Sequence, residues 1–347
     1  MADTFDDSAG GLETRLEEAA PPGRFGGEFP PAQLPDTELT ELADAGLTTE
    51  ALPAPEGGEL GRHAGAFART ARVFVENKMA VAGLAVIVLA ILFCCVGPFL
   101  YHSNQTNAQL ALFNSENAAP TSQHLLGTDG QGFDILGRLM YGGQRSLLVG
   151  FTAAIMATVL GVAYGAISGF FGKWLDALMM RVVDTMLSIP LLFFLIVLSA
   201  IFHPSLPILI LVIAFVSWLV PARLVRGQTL TLRVREYVQA VRVMGGSRTR
   251  IIFRHIIPNT MGTIIVNTTF QVADAILILA ALGYLGLGVQ PPQTDWGSML
   301  ANGVNYALDG YWWEIYPAFL AIVLVVMAFN FVGDALRDSL EVRLQQR

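Results

Sequence analysis

The chain has 347 residues, of which 53% are hydrophobic and only 14% are charged, whereas about a quarter of an average soluble domain is charged. Its formal net charge of −7 is dominated by acids near the amino terminus. This composition excludes an ordinary soluble enzyme or a nucleic-acid-binding domain. Long runs contain no charge, and about 20 apolar residues suffice to cross a bilayer as a helix, so the sequence predicts an integral membrane protein.

Residues 1–61 differ in composition from the rest of the chain. They hold 14 acidic residues against two arginines, with many Gly and Pro. A segment that can bury so little apolar surface does not offset its chain entropy, so we predict a disordered, acidic cytoplasmic tail. A regulatory or tethering role and a tolerated extension are both compatible with it. A basic juxtamembrane segment, 62–78, follows.

Six apolar runs come next, and each is predicted to be a transmembrane helix. The charge-free stretch 185–222 is too long for a single span and is divided by Pro204 and Pro207, since proline lacks an amide donor and disfavours helix in the residue before it. The fold is therefore predicted to be all-α and polytopic. The spans are placed near 79–101, 146–171, 184–202, 207–222, 262–287 and 316–335.

Lysines and arginines indicate the orientation, because they are enriched in cytoplasmic loops. They cluster before the first span, between the second and third, between the fourth and fifth, and after the sixth. Both termini are thus predicted to be cytoplasmic, and residues 102–144 extracytoplasmic. The loop 223–260 is the most basic, with arginines at positions 223, 226, 233, 235, 242, 248, 250 and 254.

Within this loop, residues 236–259 are predicted to form a helix–turn–helix, called the cytoplasmic knob below. The first helix spans 236–244, the turn falls at Gly245, because glycine readily adopts positive φ, and Ser247 caps the second helix. Pro258 is predicted to stop that helix before the fifth span. Its broad apolar face would comprise Ile251, Ile252, Phe253 and Ile256. Topology alone explains the arginines, but it does not require an ordered turn.

Catalytic and metal-binding motifs are missing from the sequence. Neither lysine lies in a GxxxxGK[ST] loop, and there is no GxSxG or HExxH. Cys94 and Cys95 lie inside an apolar span, and the five histidines are scattered, which disfavours a metal site. We therefore expect a non-enzymatic chain that binds no cofactor itself.

The fifth span contains one ionisable residue, Asp274. A charge in the membrane is costly, so it tends to face a cavity or a partner; Asp274 is a candidate for the substrate pathway or for a structural hydrogen bond. Gly161, Gly165 and Gly169 are spaced for close helix packing. Three tryptophans, Trp296, Trp312 and Trp313, are predicted to lie in the outer interfacial belt.

The knob resembles the EAA loop of ABC importer inner-membrane subunits, which reads EAA, three residues, Gly, nine residues, IxLP. Gln239-Ala240-Val241 stands at EAA, Gly245 at the glycine and Ile257-Pro258 at the closing pair. Three other stretches are similar to C-type subunits of oligopeptide and dipeptide permeases. They are HLLGTDGQGFDILGR at 124–138, LGLGVQPPQTDWG at 285–297 and FNFVGDALRD at 329–338.

This resemblance implies a permease core (145–347) that couples ATPase closure to alternating access and imports peptides across the bacterial inner or plasma membrane. The implied partners are a second homologous permease, two cytoplasmic ATPases that bind ATP and Mg²⁺, and an extracytoplasmic peptide-binding protein. The implied ATPase-coupling residues are Glu236, Gln239, Ala240, Val241, Gly245, Arg248, Ile257 and Pro258.

Departures from the family pattern leave the solute open. Phe133 and Gly137 stand where Arg and Ser are usual, and Leu279 and Gly283 where Glu and Ser are common. Nickel, glutathione or another small solute remains an alternative to peptides. A proton-coupled secondary transporter that uses Asp274, or a purely structural membrane anchor, would be a different class of protein.

Overall fold

A computed structural model describes residues 74–103, 107–202 and 205–345. The acidic tail predicted at 1–61 and most of the basic segment 62–78 lie outside these ranges. Within them the chain is helical, and its one β pairing is an isolated bridge between Thr128 and Asp134. The all-α prediction is confirmed.

The helices are α1 (Lys78–Leu100), α2 (Ala108–Ala111), α3 (Ile135–Phe171), α4 (Lys173–Leu187), α5 (Leu191–Ile201), α6 (Leu206–Ser217), α7 (Leu219–Leu232), α8 (Glu236–Val243), α9 (Arg248–Ile251), α10 (Ile257–Tyr284), α11 (Trp296–Ala307) and α12 (Trp312–Gln345). A π-helical turn, Ile252–Ile256, joins α9 to α10. Five helical segments of the described chain are long and apolar enough to cross a membrane. They are Lys78–Leu100, Ile135–Phe171, Leu206–Leu232, Arg248–Tyr284 and Trp312–Leu340.

The third predicted span, 184–202, is not a straight helix. It belongs to the pair α4–α5, which bends by 84° at Ser188–Pro190. Pro190 cannot donate a backbone hydrogen bond, and it disfavours helical geometry at Ile189. α5 has 11 residues and is about 16 Å long, well short of the roughly 30 Å hydrocarbon core. Only the bent pair taken as one unit makes the sixth crossing.

The helix that contains the second predicted span, 146–171, begins before the span itself. α3 starts at Ile135 rather than near residue 146 and has 37 residues, about 55 Å of helix. Arg138 and Arg145 lower the hydropathy of its first turns, so the apolar run in the sequence begins only near residue 146. In the structure Asp134 caps the helix by accepting from the Gly137 amide at 2.8 Å. α3 therefore extends beyond the bilayer on the side of the 102–134 segment.

The glycine stripe of α3 is a site of close helix packing, as predicted, and the partner helix is α7. This helix pair has the most extensive contact in the described fold. A Cβ on Gly161 would lie 2.8 Å from the Trp218 carbonyl oxygen, and one on Gly169 would lie 2.8 Å from that of Arg226. Gly165 faces the backbone of Ala222 between them. The missing side chains allow the two backbones to approach.

Trp296 does not lie in an interfacial belt, so that prediction is wrong. Its side chain is fully buried, and its indole Nε1 donates to the Leu139 carbonyl at 3.0 Å. The ring lies over Gly143 of α3. Trp312, at the start of α12, is half exposed. The sequence pattern around Trp296 gives no sign of the long-range contact that buries it.

Residues 107–134 fold onto the amino-terminal end of α3 through two buried carboxylates. Asp134 accepts from the Tyr101 hydroxyl at 2.7 Å and pairs with His124 Nδ1 at 2.8 Å. Burial and the hydrogen bond to Asp134 raise the pKa of Tyr101 to about 12. Asp129 pairs with Arg138 at 2.9 Å. The stretch 124–138 is thus a structural motif.

Phe133, which departs from the family pattern, takes part in the same structure. Its amide donates to Asp129 Oδ1 at 2.9 Å. The Arg138 guanidinium lies 4.5 Å from the centroid of its ring, within the range of a cation–π contact. The aromatic side chain at position 133 therefore helps to hold the buried Asp129–Arg138 pair.

We expect Asp134→Ala to lower the free energy of unfolding by about 2–4 kcal/mol, because it removes a helix cap and leaves buried donors unpaired. The melting temperature of the detergent-solubilised protein measures the effect. Asn107→Ala is the matched control, since Asn107 is exposed and caps only the four-residue α2; its loss should cost less than about 1 kcal/mol. Equal melting temperatures for the two variants would contradict a structural role for Asp134.

Candidate functional site

The cytoplasmic knob contains the predicted turn. α8 ends at Val243, and the chain reverses through Gly245, whose φ is +79°. The Gly245 amide donates to the Arg242 carbonyl at 3.1 Å and the Gly246 amide to that of Val241 at 2.9 Å. This pair of bonds is the Schellman arrangement, in which the positive-φ position favours glycine. Ser247 then caps α9, as predicted, by accepting from the Arg250 amide.

One side of the knob is buried against the membrane-spanning helices. Val238, Ile251 and Ile256 are almost fully buried and cluster with Phe170 of α3 and Val225 of α7. This contact fixes α8 and α9 relative to the spans, so the knob is an ordered part of the fold. Val241 and Ile257, two of the predicted coupling residues, also pack against this cluster.

The opposite side of the knob is exposed. Glu236, Gln239 and Ala240 lie on it. At the end of α8, the side chains of Val243 and Met244 are 87% and 77% exposed. These two adjacent apolar side chains at the helix end make no buried contact within the described chain.

The predicted apolar face of the second knob helix is only partly correct. Ile251, Ile252 and Ile256 are buried, whereas Phe253 is 67% exposed. The π turn widens the helix at Ile252–Ile256, so the spacing of buried positions departs from that of a regular α-helix. Phe253 is therefore exposed and does not belong to the buried face.

Five of the eight arginines of the loop 223–260 contact the protein itself. Two arginines of the knob, Arg242 and Arg248, lie over aromatic rings at the end of α3, at 5.7 and 5.4 Å from the ring centroids. Most of the positive charge therefore stabilises this end of the fold. The five contacts are Arg223 with Asp184, Arg226 with Asp176, Arg233 with the Gly169 carbonyl, Arg242 with Phe170 and Arg248 with Phe171.

Pro258 does not stop the second knob helix, which corrects the prediction. The helix passes through the π turn into α10 and forms one continuous segment, Arg248–Tyr284. The Ile257 amide donates to the Ile252 carbonyl, five residues back. This wider turn accommodates a proline, whose ring would clash with the carbonyl four residues before it in a regular α-helix. Asn259 Nδ2 donates to the His255 carbonyl at 2.5 Å.

Asp274 lines a cavity of about 490 Å³. The cavity lies where the α4–α5 break, the α6–α7 junction and α10 meet, within the membrane-spanning part of the chain. Irregular backbone in a membrane protein is tolerated where it lines such a cavity. Lining residues include Leu187, Ile189, Pro190, Leu191, Ser217, Asn267, Gln271 and Asp274.

Three polar residues of α10 share this cavity: Asn267, Gln271 and Asp274. Their i, i+4, i+7 spacing places them on one face of the helix. The charge of Asp274 alone does not predict this polar stripe, and Asn267 and Gln271 are not among the site residues predicted from the sequence. Helical spacing of Asn and Gln within an apolar run was the signal that could have revealed it.

The predicted site residues thus fall into two separate places. Glu236, Gln239, Ala240, Gly245 and Arg248 belong to the knob, and Val241 and Ile257 to its packing. Asp274 lies in the cavity, 26 positions beyond Arg248 on one continuous helical segment, at a distance of about 40 Å.

This architecture defines a class of protein. It is a polytopic helical membrane protein with an ordered knob at one end of its spans and a polar cavity among them. Residues 161–346 match the family model for the inner-membrane component of binding-protein-dependent transport systems. Residues 66–120 match the N-terminal transmembrane domain of oligopeptide transport permease C. The chain belongs to this family of transport-system inner-membrane components.

Named relatives cover most of the chain. The oligopeptide transport system permease protein OppC of Haemophilus influenzae is 40% identical over 78% of this chain and 86% of its own length. The dipeptide transport system permease protein DppC of Alkalihalophilus pseudofirmus is 39% identical over 78% and 88%. A solved chain of the inward-facing MetNI methionine ABC transporter is 18% identical, with a TM-score of 0.49 over 58% of this chain and 96% of that one.

Proposed function

We propose that this chain is a permease subunit of an ATP-driven importer and that its solute is a peptide. The observation that carries the proposal is the 40% identity to an oligopeptide permease over 78% of the chain. ATP and Mg²⁺ would bind to separate ATPase subunits. A second permease and an extracytoplasmic binding protein would complete the complex, and the basic segments favour cytoplasmic termini. The peptide names of the relatives favour peptides over nickel or glutathione.

The exposed side of the knob is the proposed ATPase contact. Val243, Met244 and Phe253 offer an apolar surface, and the exposed Glu236 and Gln239 lie on the same knob. The buried side, anchored by Val238, holds this surface in a fixed position. A subunit that closes on ATP can move the permease only if the two states differ in their contacts, and an anchored knob provides such contacts.

The continuous helix Arg248–Tyr284 is the proposed mechanical link. It begins in the knob and carries Asp274 along the cavity wall. A displacement of the knob therefore changes the position of the cavity wall without any intervening loop. Alternating exposure of the cavity to the two sides of the membrane would follow from this movement.

We expect the double substitution of Val243 and Met244 by aspartate to lower the recovery of ATPase subunits by about tenfold or more, because charges replace the apolar surface of the contact. Copurification of the complex from membranes measures the recovery. Leu308→Asp is the matched control, since Leu308 is 98% exposed and lies outside the knob.

Undiminished ATPase recovery with the double variant would show that this surface does not bind the ATPase. Uptake by the isolated chain driven by a proton gradient, with no ATPase associated, would instead support the secondary-transporter alternative. The same preparation thus distinguishes the two classes of transporter.

A further inference from the structure

The cavity that Asp274 lines includes the start of α5, through Pro190, Leu191 and Phe194. α5 begins at Leu191, directly after Pro190, which provides no side-chain cap. The first backbone hydrogen bond of this helix runs from the Phe194 amide to the Pro190 carbonyl. The amides of Leu191, Leu192 and Phe193 have no partner among the described residues. Free amides and the helix dipole make such an end attractive to an anion.

The cavity also contains unpaired acceptors. Gln271 is only 6% exposed, and its Nε2 donates to the Ser217 carbonyl at 2.7 Å. Its Oε1 is buried and has no hydrogen-bond partner in the described part of the chain. The same holds for Oδ1 of Asn267. A buried amide oxygen without a partner is costly, so these oxygens favour a ligand that brings N–H groups.

Asp274 supplies a negative charge to the same set. It lies on the face of α10 that carries Asn267 and Gln271, and all three line the cavity. From Asn267 to Asp274 the helix rises by about 10 Å, the length of about three extended residues. The carboxylate and the amide acceptors thus line a stretch of α10 as long as a short peptide, and the start of α5, with the Leu191 amide, lines the same cavity.

We infer that this cavity binds a short peptide through both of the peptide's charged termini. Asp274 receives the ammonium group, the amides that open α5 receive the carboxylate, and Gln271 and Asn267 accept hydrogen bonds from peptide N–H groups. Recognition of main-chain groups and termini leaves the peptide side chains unspecified. The inference rests on the proposed function, since it takes a peptide as the transported solute.

The ammonium contact is tested with Asp274→Asn in the full complex in proteoliposomes. The substrates are trialanine and N-acetyl-trialanine. For each peptide, uptake by the variant is divided by uptake by the wild-type complex, so any preference of the binding protein for one peptide cancels. We expect about a tenfold loss for trialanine and less than about a twofold loss for the acetylated peptide. Asp309→Asn, the same change at an exposed residue outside the cavity, should alter neither value.

The carboxylate contact is tested with Leu191→Pro. Proline is tolerated at the first position of a helix and removes one of the free amides, and Pro190 has ψ 121°, the extended geometry that a following proline requires. Leu191→Ala is the reference, because it removes the side chain and keeps the amide. Relative to Leu191→Ala, we expect the proline variant to lose trialanine uptake about fivefold but to handle trialanine amide equally well.

The inference is overturned if both variants lose uptake of free and blocked peptides by the same factor, or lose none. It is also overturned if they reduce recovery of the second permease without changing uptake per assembled complex, since the cavity would then bind the partner subunit. ATP-driven trialanine uptake by the wild-type complex would still support the proposed function in these cases. A wild-type complex that moves neither peptide would refute both.

Discussion

Gly245→Val is expected to abolish ATP-driven uptake while the protein still reaches the membrane in normal amounts. The residue has φ +79°, a conformation in which a β-branched side chain is strongly disfavoured. The strain, on the order of 1–3 kcal/mol, is relieved by opening the two turn bonds to Arg242 and Val241. The end of α8 would then shift relative to the buried Val238. Uptake in proteoliposomes and the amount of protein in membranes are the two measurements.

Gly245→Asn separates the shape of the turn from a contact at that position. Asparagine tolerates positive φ better than other non-glycine residues, and a side chain at position 245 meets no atom of this chain within 4 Å. We therefore expect the asparagine variant to keep most of the uptake. Equal loss with both variants would indicate close contact with the partner, and normal uptake with valine would refute the coupling role of the turn.

The features that were predictable from the sequence are local ones. Long apolar runs define spans because the bilayer demands them, and a glycine pair inside a polar segment marks the Gly245 turn because few other residues adopt its geometry. Ser247 as a cap belongs to the same category. Each of these signals is contained within a few neighbouring residues.

What could not be predicted depends on contacts between distant segments. The sequence around Trp296 is typical of an interfacial tryptophan. Its side chain is buried by packing over Gly143 and by its hydrogen bond to the Leu139 carbonyl. Pro258 has the signature of a helix stop, yet the preceding π turn accommodates it.

The cavity combines both kinds of information. The spacing of Asn267, Gln271 and Asp274 is readable from the sequence, and so is the helix-breaking character of Pro190. That the amino end of α5 lines the same cavity as this stripe follows only from the fold. A polar stripe in one span and a break in another become a candidate site only when tertiary packing brings them together.

Gly165→Ala is expected to destabilise the protein, although alanine has the higher helix propensity. A Cβ on Gly165 would clash with the Ala222 carbonyl oxygen and lie 2.9 Å from the Arg226 backbone nitrogen. Both atoms belong to the backbone of α7 and cannot move aside by a change of rotamer. Forcing the helices apart costs about 1–3 kcal/mol for one methyl group, and more for Gly165→Val. Melting temperature and the amount of protein in the membrane measure the loss.

Gly227→Ala gives the opposite expectation from the same substitution. Gly227 lies in α7, and an added Cβ there meets no atom within 4 Å, so the variant should gain up to about 1 kcal/mol from helix propensity. Opposite shifts in melting temperature would show that the close approach of α3 and α7 requires the glycine. If Gly165→Ala melted like the wild type, the helices would be able to separate at little cost. In that case the α3–α7 contact could not fix the position of Arg226 in α7. Arg226 forms a bidentate pair with Asp176 of α4, and this pair ties the loop end of α7 to the bent third span.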